Sequence, residues 1–239
     1  MRLTGCIGIQ VAAFCIASVL VGCASTGDDS RVSLYASKSA ISGDVYYARA
    51  PSMQTAEREL AECLFRVAGQ ISLRKKVYVR YSITPVTAQD GSTIKRAQVV
   101  LDYDQSNSIA ILDKLTVIKV SRTANGTEAL VRDASSGNRA RVQPDARPDA
   151  NGNPRWVSSP PRGSGFFAAV GSIAQNSASP DGYANADTNA IGALAALAIK
   201  PVESGNSRVH EGTLRGAYIA RRWFNAREGR WYSLAVLPR

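Results

Sequence analysis

The chain has 239 residues, of which 45% are hydrophobic and 20% are charged. This composition is that of an ordinary globular protein with a sizeable core, and it excludes a wholly disordered chain and a bundle of membrane spans. The net charge of +10 favours an anionic partner, which would be nucleic acid in the cytosol, or anionic lipid, lipopolysaccharide or cell-wall polymer after export.

The first 22 residues have the layout of an export signal. Arg2 supplies a short positive region, and an apolar stretch without a charge follows over residues 6–22. This stretch is shorter than the roughly 20 residues that a transmembrane helix needs, and no basic cluster follows it to stop transfer. The sequence therefore predicts a signal peptide over residues 1–22.

The signal ends in Leu20-Val21-Gly22-Cys23, which resembles the bacterial lipobox. The resemblance implies cleavage between Gly22 and Cys23 and attachment of fatty acyl chains, such as palmitate, to Cys23. Because each buried methylene contributes about 0.8 kcal/mol, two or three chains anchor a protein durably. Ala24 occupies the position after Cys23, where an Asp would favour retention in the inner membrane. We therefore expect the lipoprotein to lie on the periplasmic face of the outer membrane. The alternative is a cysteine that ends an uncleaved helix.

Export and acylation also bear on the other cysteines and on the partners. Cleavage removes Cys6 and Cys15, and an acylated Cys23 leaves Cys63 as the one free thiol of the mature chain. Cys63 lies on the apolar face of a predicted helix, which favours an inert buried thiol over an intermolecular bridge or a reactive group. An exported protein has no nucleic acid to bind, so none is predicted as a partner.

A lipidated tether over residues 23–43 precedes the first folded module, which is predicted over residues 44–134. Its helix is indicated by apolar residues that recur at spacings of three and four. Its strands are indicated by the alternation of apolar and polar residues and by an Asn-Gly turn. The predicted elements are a strand at 44–50, a helix that Ser52 caps and that runs to residue 72, strands at 77–83 and 97–103, and a hairpin at 115–132 around Asn125-Gly126.

Residues 135–165 are rich in Pro, Gly, Asn, Asp and Arg and lack apolar periodicity, which predicts a linker. The second module, over residues 166–239, follows a similar order to the first: a strand at 166–174, a helix at 181–200 and two strands within 214–237. The sequence therefore predicts an α+β fold of two similar modules, each with one helix packed on an antiparallel sheet. The edges of such sheets are open to pairing, which favours self-association or assembly with envelope proteins.

The residues that could support catalysis are few, and no enzyme activity and no cofactor are predicted. The single histidine, His210, has no nucleophile elbow beside it. Asp102 and Asp104 stand two residues apart on a predicted strand, a spacing that a glycosidase pair allows. Acids on the solvated side of a sheet give the same pattern, and this interpretation is favoured.

No metal site is predicted. Cys23, Cys63 and His210 do not have the spacing of zinc ligands. The oxygen-rich stretch 145–153 resembles a calcium loop, but it lacks the closing Glu of an EF-hand. A turn-rich linker is the favoured interpretation.

Arginines crowd the last hairpin, and a guanidinium can bind a carboxylate or a phosphate through two parallel hydrogen bonds. Peptidoglycan carboxylates, lipopolysaccharide or an acidic protein are the ligands that this pattern suits. The alternative is a set of solvated arginines that keep the protein soluble. The candidate contacts for an anion or a partner are Arg215, Arg221, Arg222, Arg227 and Arg230.

Several short motifs follow one another over residues 153–238. They are Trp156, Pro160-Pro161, the AVGSIA run at 169–174, the Ala-rich helix predicted at 181–200, Leu214-Arg215-Gly216-Ala217, Trp223 and the stretch 229–237. Together with the lipobox, they resemble the FlgP-like, flagellar-associated family of small outer-membrane lipoproteins. The resemblance implies a structural or assembly role in the cell envelope, in some members around the flagellar motor. The first half of the chain departs from this pattern, because such lipoproteins often have one domain after the anchor.

Overall fold

The computed structural model describes residues 45–124, 126–134, 142–174 and 182–239. The predicted signal, the cleavage site at Gly22 and Cys23, and the tether lie outside the described residues. None of the described helices is long and apolar enough to cross a membrane. The described part contains helices packed on antiparallel sheets, which confirms the predicted α+β class.

Most of the predicted elements have counterparts in the structure, with shifted ends. The first helix begins three residues later than predicted, because the Thr55 hydroxyl accepts a hydrogen bond from the Arg58 amide and caps it there. In chain order the elements are β1 (Val45–Ala50), α1 (Ala56–Lys75), β2 (Val77–Thr87), β3 (Thr93–Asp102), α2 (Ser106–Leu112), β4 (Leu115–Thr123), β5 (Gly126–Asp133), α3 (Arg155–Ser158), β6 (Phe166–Ala174), α4 (Gly182–Ala198), β7 (Val202–Ser204), β8 (Ser207–Leu214), β9 (Tyr218–Asn225) and β10 (Arg230–Pro238).

The first half of the chain forms a three-stranded antiparallel sheet, in the order β1-β5-β4, under helix α1. Cys63, Val67 and Ile71 recur on one side of α1 and pack with Ala48 and Val131 of the sheet. These are the apolar positions that the helical periodicity indicates, so burial of one face orients α1 on the sheet.

The second half repeats this topology, with the sheet order β6-β10-β9 under helix α4. In both halves a strand leads into the helix, and the last strand of the half lies in the middle of its sheet. Gly171 of β6 allows α4 to come close, since a Cβ there would lie 2.0 Å from the Ala190 nitrogen. The two similar modules, each with a helix on an antiparallel sheet, are therefore confirmed.

A third sheet, in the order β3-β2-β8-β7, takes strands from both halves. β2 pairs with β8 from Val77 opposite Leu214 to Ile83 opposite Arg208. Successive side chains of a strand point to opposite faces of the sheet. On one face, Val77, Val79 and Leu214 are buried in the same core cluster as residues of α4. The halves predicted as separate modules, 44–134 and 166–239, thus share a sheet and lie in one compact unit.

The stretch predicted as a linker, 135–165, packs on the second half where the structure describes it. Trp156 is 2% exposed and joins a core cluster with Tyr218 and Leu234. The Val142 amide donates a hydrogen bond to the Tyr218 hydroxyl at 3.1 Å. The segment packs on the sheet, although it was predicted to be a linker, because burial of the large apolar surface of the Trp156 indole stabilises the contact.

Candidate functional site

Arg222, one of the five candidate anion contacts, is engaged inside the protein. Its side chain is 5% exposed and forms an ion pair with Asp187 of α4 at 2.8 Å. The Arg222 Nε donates to both carboxylate oxygens of Asp187, and the guanidinium lies 5.0 Å from the centre of the Tyr183 ring. Since these groups occupy the guanidinium, Arg222 is a structural residue and not a contact for an external anion.

The polar network around Arg222 joins the two halves of the chain. Arg222 donates to the Gln70 side-chain oxygen of α1 at 3.0 Å and to the Tyr47 carbonyl of β1 at 3.4 Å. Gln70 in turn donates to the same carbonyl at 2.9 Å, and the Ser233 hydroxyl donates to Asp187 at 2.6 Å. Arg222 lies opposite Ser233 of β10, on the face of the sheet that α4 covers. A register shift in β9 skips Ala220 and interrupts the alternation of faces from Tyr218, so the sequence pattern did not indicate this burial.

The other four arginines lie closer to solvent. Arg215 and Arg227 are exposed, whereas Arg221 and Arg230 are half-buried. Arg221 donates to the Gln143 side chain at 3.1 Å and Arg230 to the Ser172 hydroxyl at 3.2 Å. The structure therefore leaves Arg215 and Arg227 as the two most accessible candidates of the set.

His210 lies in the middle of β8, and its side chain is buried at 6% exposure. Its Nδ1 is 2.7 Å from the Ile199 carbonyl oxygen, and its ring lies tilted against that of Tyr81 at 6.1 Å. A hydrogen bond to a backbone carbonyl together with aromatic packing gives His210 a structural role.

Asp102 and Asp104, the pair considered for glycosidase chemistry, are exposed, and neither lines the cavity between α1 and α4. Asp104 accepts hydrogen bonds from the amide and hydroxyl of Ser106, at 2.9 and 2.6 Å. These bonds form a turn before α2 and lower the pKa of Asp104 below its ordinary value, chiefly through the Ser106 hydroxyl.

The carboxylates of the oxygen-rich stretch 145–153 bind protein groups. Asp149 accepts hydrogen bonds from the Asn151 and Asn153 amides, which is a turn geometry. Asp145 forms a bidentate pair with Arg147, and this side-chain bond lowers the pKa of Asp145 to about 2. Within the described ranges, no three His, Cys, Asp or Glu side chains form a group that could hold a metal ion.

Cys63 and Glu59 are among the buried ionisable groups of the first half. Cys63 is fully buried, and this burial raises the pKa of its thiol to about 11. Glu59 is also fully buried, and Arg122 donates two hydrogen bonds to its carboxylate, each 3.0 Å long. Further bonds come from the Thr127 hydroxyl and the Met53 amide. These donors, the Arg122 side chain foremost, lower the pKa of Glu59 to about 2.

An interhelix groove of about 940 Å³ opens between α1 and α4. Its charged lining groups are already paired, Arg66 with Glu62 at 2.7 Å and Asp187 with Arg222 at 2.8 Å. Its wall is mostly apolar or aromatic, and Phe65 is half exposed within it. The groove is lined by Tyr46, Glu62, Phe65, Arg66, Gly69, Gln70, Leu73, Leu101, Tyr103, Gln105, Ser106, Ser108, Ile109, Tyr183, Ala184, Asp187, Thr188, Ile191, Tyr218 and Ile219.

Strand β3 forms a second surface that could contact a partner, the outer edge of the central sheet. Helix α4 covers one face of this sheet, and the other face carries exposed apolar side chains. Ile94 is 54% and Val100 48% exposed on β3, beside Tyr78 and Val86 of β2 at 38% each. Eight of the ten residues of β3 are exposed.

Comparison of the chain with protein-family models, with curated proteins and with solved structures found no match in any of the three. Function is therefore argued from the residues and geometry above.

Proposed function

We propose that the protein is an outer-membrane lipoprotein with a non-enzymatic structural or assembly role in the cell envelope. The observation that carries this proposal is the exposed β3 strand with apolar side chains on its open face. An exposed strand of this length offers unpaired N–H and C=O groups to another chain. Exposed apolar patches on soluble proteins commonly mark contact sites.

The location rests on the sequence. Leu20-Val21-Gly22-Cys23 resembles a lipobox, and Ala24 stands at the position where Asp would favour retention in the inner membrane. A lipid anchor at Cys23 would hold the folded unit at the periplasmic face of the membrane. The resemblance of residues 153–238 to FlgP-like lipoproteins extends the proposal to an association with the flagellar motor.

Metabolic labelling with a palmitate analogue tests the anchor. The wild-type chain should carry the label and sediment with the outer membrane, and Cys23→Ala should lose both properties. Cys63→Ala is the matched control, since it also removes one cysteine but should keep the label. Label retained in Cys23→Ala would rule out the proposed lipidation.

Cross-linking in intact cells, followed by purification in mild detergent, tests the assembly role. Discrete cross-linked products with further copies or with envelope proteins are expected. A monodisperse monomer without a cross-linked partner would contradict an assembly role.

A second candidate function, binding of anionic cell-wall or lipopolysaccharide ligands, is favoured by the exposure of Arg215 and Arg227. Arg215→Ala/Arg227→Ala should reduce retention on purified sacculi or on lipopolysaccharide micelles. Lys114→Ala/Lys119→Ala removes the same charge from exposed positions of the first half and should not reduce it. Equal retention of the two double variants would remove this candidate.

A further inference from the structure

The six sheet edges of the described residues differ in how they are protected. β1 is buried along its whole length, and β6 and β9 have almost no exposed residues. β7 has three residues, and β4 is interrupted by a register shift between Val117 and Lys119. Short strands, bulges and covering groups are the devices that stop edge pairing. The β3 edge has none of them, because β3 pairs with β2 without interruption from Thr93 to Asp102.

The charges along β3 are arranged to match those of a second β3. Arg96 and Asp102 lie on the open face, six residues apart, and within the described part of the chain neither side chain has an ion-pair or hydrogen-bond partner. Opposite residues of an antiparallel pair point to the same face of the sheet. When two copies of β3 run antiparallel with Val99 opposite Val99, Arg96 of each copy therefore lies opposite Asp102 of the other.

The rest of this register is also favourable. Ala97 comes opposite Leu101 on the covered face, and Gln98 comes opposite Val100 on the open face. Lys95 falls outside the paired segment, which covers residues 96–102. A register shifted by two residues toward the hairpin tip has Gln98 at the centre and places Lys95 opposite Leu101. A shift of four residues has Ala97 at the centre and places Lys95 opposite Val99. Both shifts remove the two Arg96–Asp102 pairs.

We propose that two copies of this chain pair through β3 in antiparallel register, with Val99 on the two-fold axis and two reciprocal Arg96–Asp102 ion pairs. The central sheets of the two copies then form one continuous eight-stranded sheet. The inference rests on the proposed assembly role and identifies its partner as a second copy.

Charge reversal tests the pairing in the full chain, purified in mild detergent with two different affinity tags and analysed by sedimentation. Wild-type copies should co-purify as dimers. Arg96→Asp and Asp102→Arg should each weaken self-association by about tenfold or more, because both ion pairs become repulsive. Mixing the two variants should restore the dimer, since each reversed charge then meets its opposite.

Lys95→Asp is the matched control: it makes the same charge change on the adjacent residue and should leave the dimer intact. Circular dichroism establishes that each variant is folded. Folded variants that dimerise like wild type, or a mixture that stays monomeric, would overturn the pairing. A monomeric wild-type protein that still cross-links to envelope proteins would overturn the β3 pairing but not the assembly role. A monomeric wild-type protein without any cross-linked partner would overturn both the pairing and the assembly role.

Discussion

At the scale of single residues, Glu59 and Arg222 are charged groups inside the protein that are each held by several donors or acceptors. Glu59 receives bonds from Arg122, Thr127 and Met53, and Arg222 binds Asp187. A buried charge is tolerated when it is paired and hydrogen-bonded in this way. Removing one partner leaves the other uncompensated, so these positions should be sensitive to substitution and to pH.

Protonation of Glu59 should weaken the fold in acid. The pKa of Glu59 is lowered to about 2 in the folded protein, from an ordinary value of 4.5. A group with a depressed folded pKa stabilises the protein fully above its unfolded pKa, and this contribution is lost as the pH falls through the folded pKa. The free energy of unfolding should therefore fall between about pH 5 and pH 2.

Urea unfolding at a series of pH values measures this effect. Glu59→Gln removes the titrating group and should flatten the acid dependence relative to wild type. Glu57→Gln, an exposed change on the same helical turn, is the control that should keep it. The same slope in all three proteins would show that Glu59 does not contribute.

Arg222→Ala should be strongly destabilising, because it leaves the Asp187 carboxylate partly buried without its cation. Breaking a buried pair in this way costs about 3–5 kcal/mol. Arg227→Ala removes an exposed arginine of the same hairpin and should change stability by less than about 0.5 kcal/mol. Denaturant unfolding measures both, and similar values for the two variants would contradict the structural role of Arg222.

At the scale of elements, the approach of α4 to β6 depends on one residue without a side chain. A Cβ on Gly171 would lie 2.0 Å from the Ala190 nitrogen and 2.5 Å from the Asn189 carbonyl carbon. Both atoms belong to the helix backbone, which cannot move aside as a flexible side chain could. The distance between helix and sheet is thus set at this position.

Gly171→Ala should therefore force α4 away from its sheet and lower stability by about 1–3 kcal/mol or more. Gly165→Ala is the matched control, since a Cβ there meets no atom within 4 Å. Thermal unfolding of both variants measures the difference. Wild-type stability in Gly171→Ala would mean that the helix does not pack as closely as described.

At the scale of the whole molecule, the two halves are joined by the β2–β8 pairing and by the Arg222 network. Elements that share a sheet and a buried polar network lose their packing together. Residues 45–239 should therefore unfold in a single cooperative transition, although the two modules have similar topologies of their own.

Ile71→Ala tests this coupling from the first half, where Ile71 is 4% exposed. The substitution should cost about 2–5 kcal/mol and lower the urea midpoint of tryptophan fluorescence, although none of the three tryptophans lies in the first half. Ile109→Ala, at a position that is 65% exposed, is the control and should leave the midpoint nearly unchanged. An unchanged fluorescence midpoint in Ile71→Ala would mean that the halves unfold separately.

The sequence by itself determined the α+β class, the helices α1 and α4, strand β6, the hairpin β4–β5 and the burial of Cys63. These features follow from spacings of two or of three and four residues and from turn residues, which are local properties of the chain. The acylation of Cys23 remains a prediction, because it lies outside the described residues.

The tertiary structure alone decided the pairing of β2 with β8, the burial of Arg222, the interhelix groove and the packing of Trp156 on the second half. Each of these joins residues far apart in the chain, as Val77 and Leu214 are joined. The local sequence pattern is the same for a strand at an exposed edge and for a strand that pairs with a distant part of the chain. In the same way, the sequence does not distinguish a buried arginine from a solvated one. Only the arrangement of the strands in space separates these cases, because burial and pairing are properties of the assembled sheets.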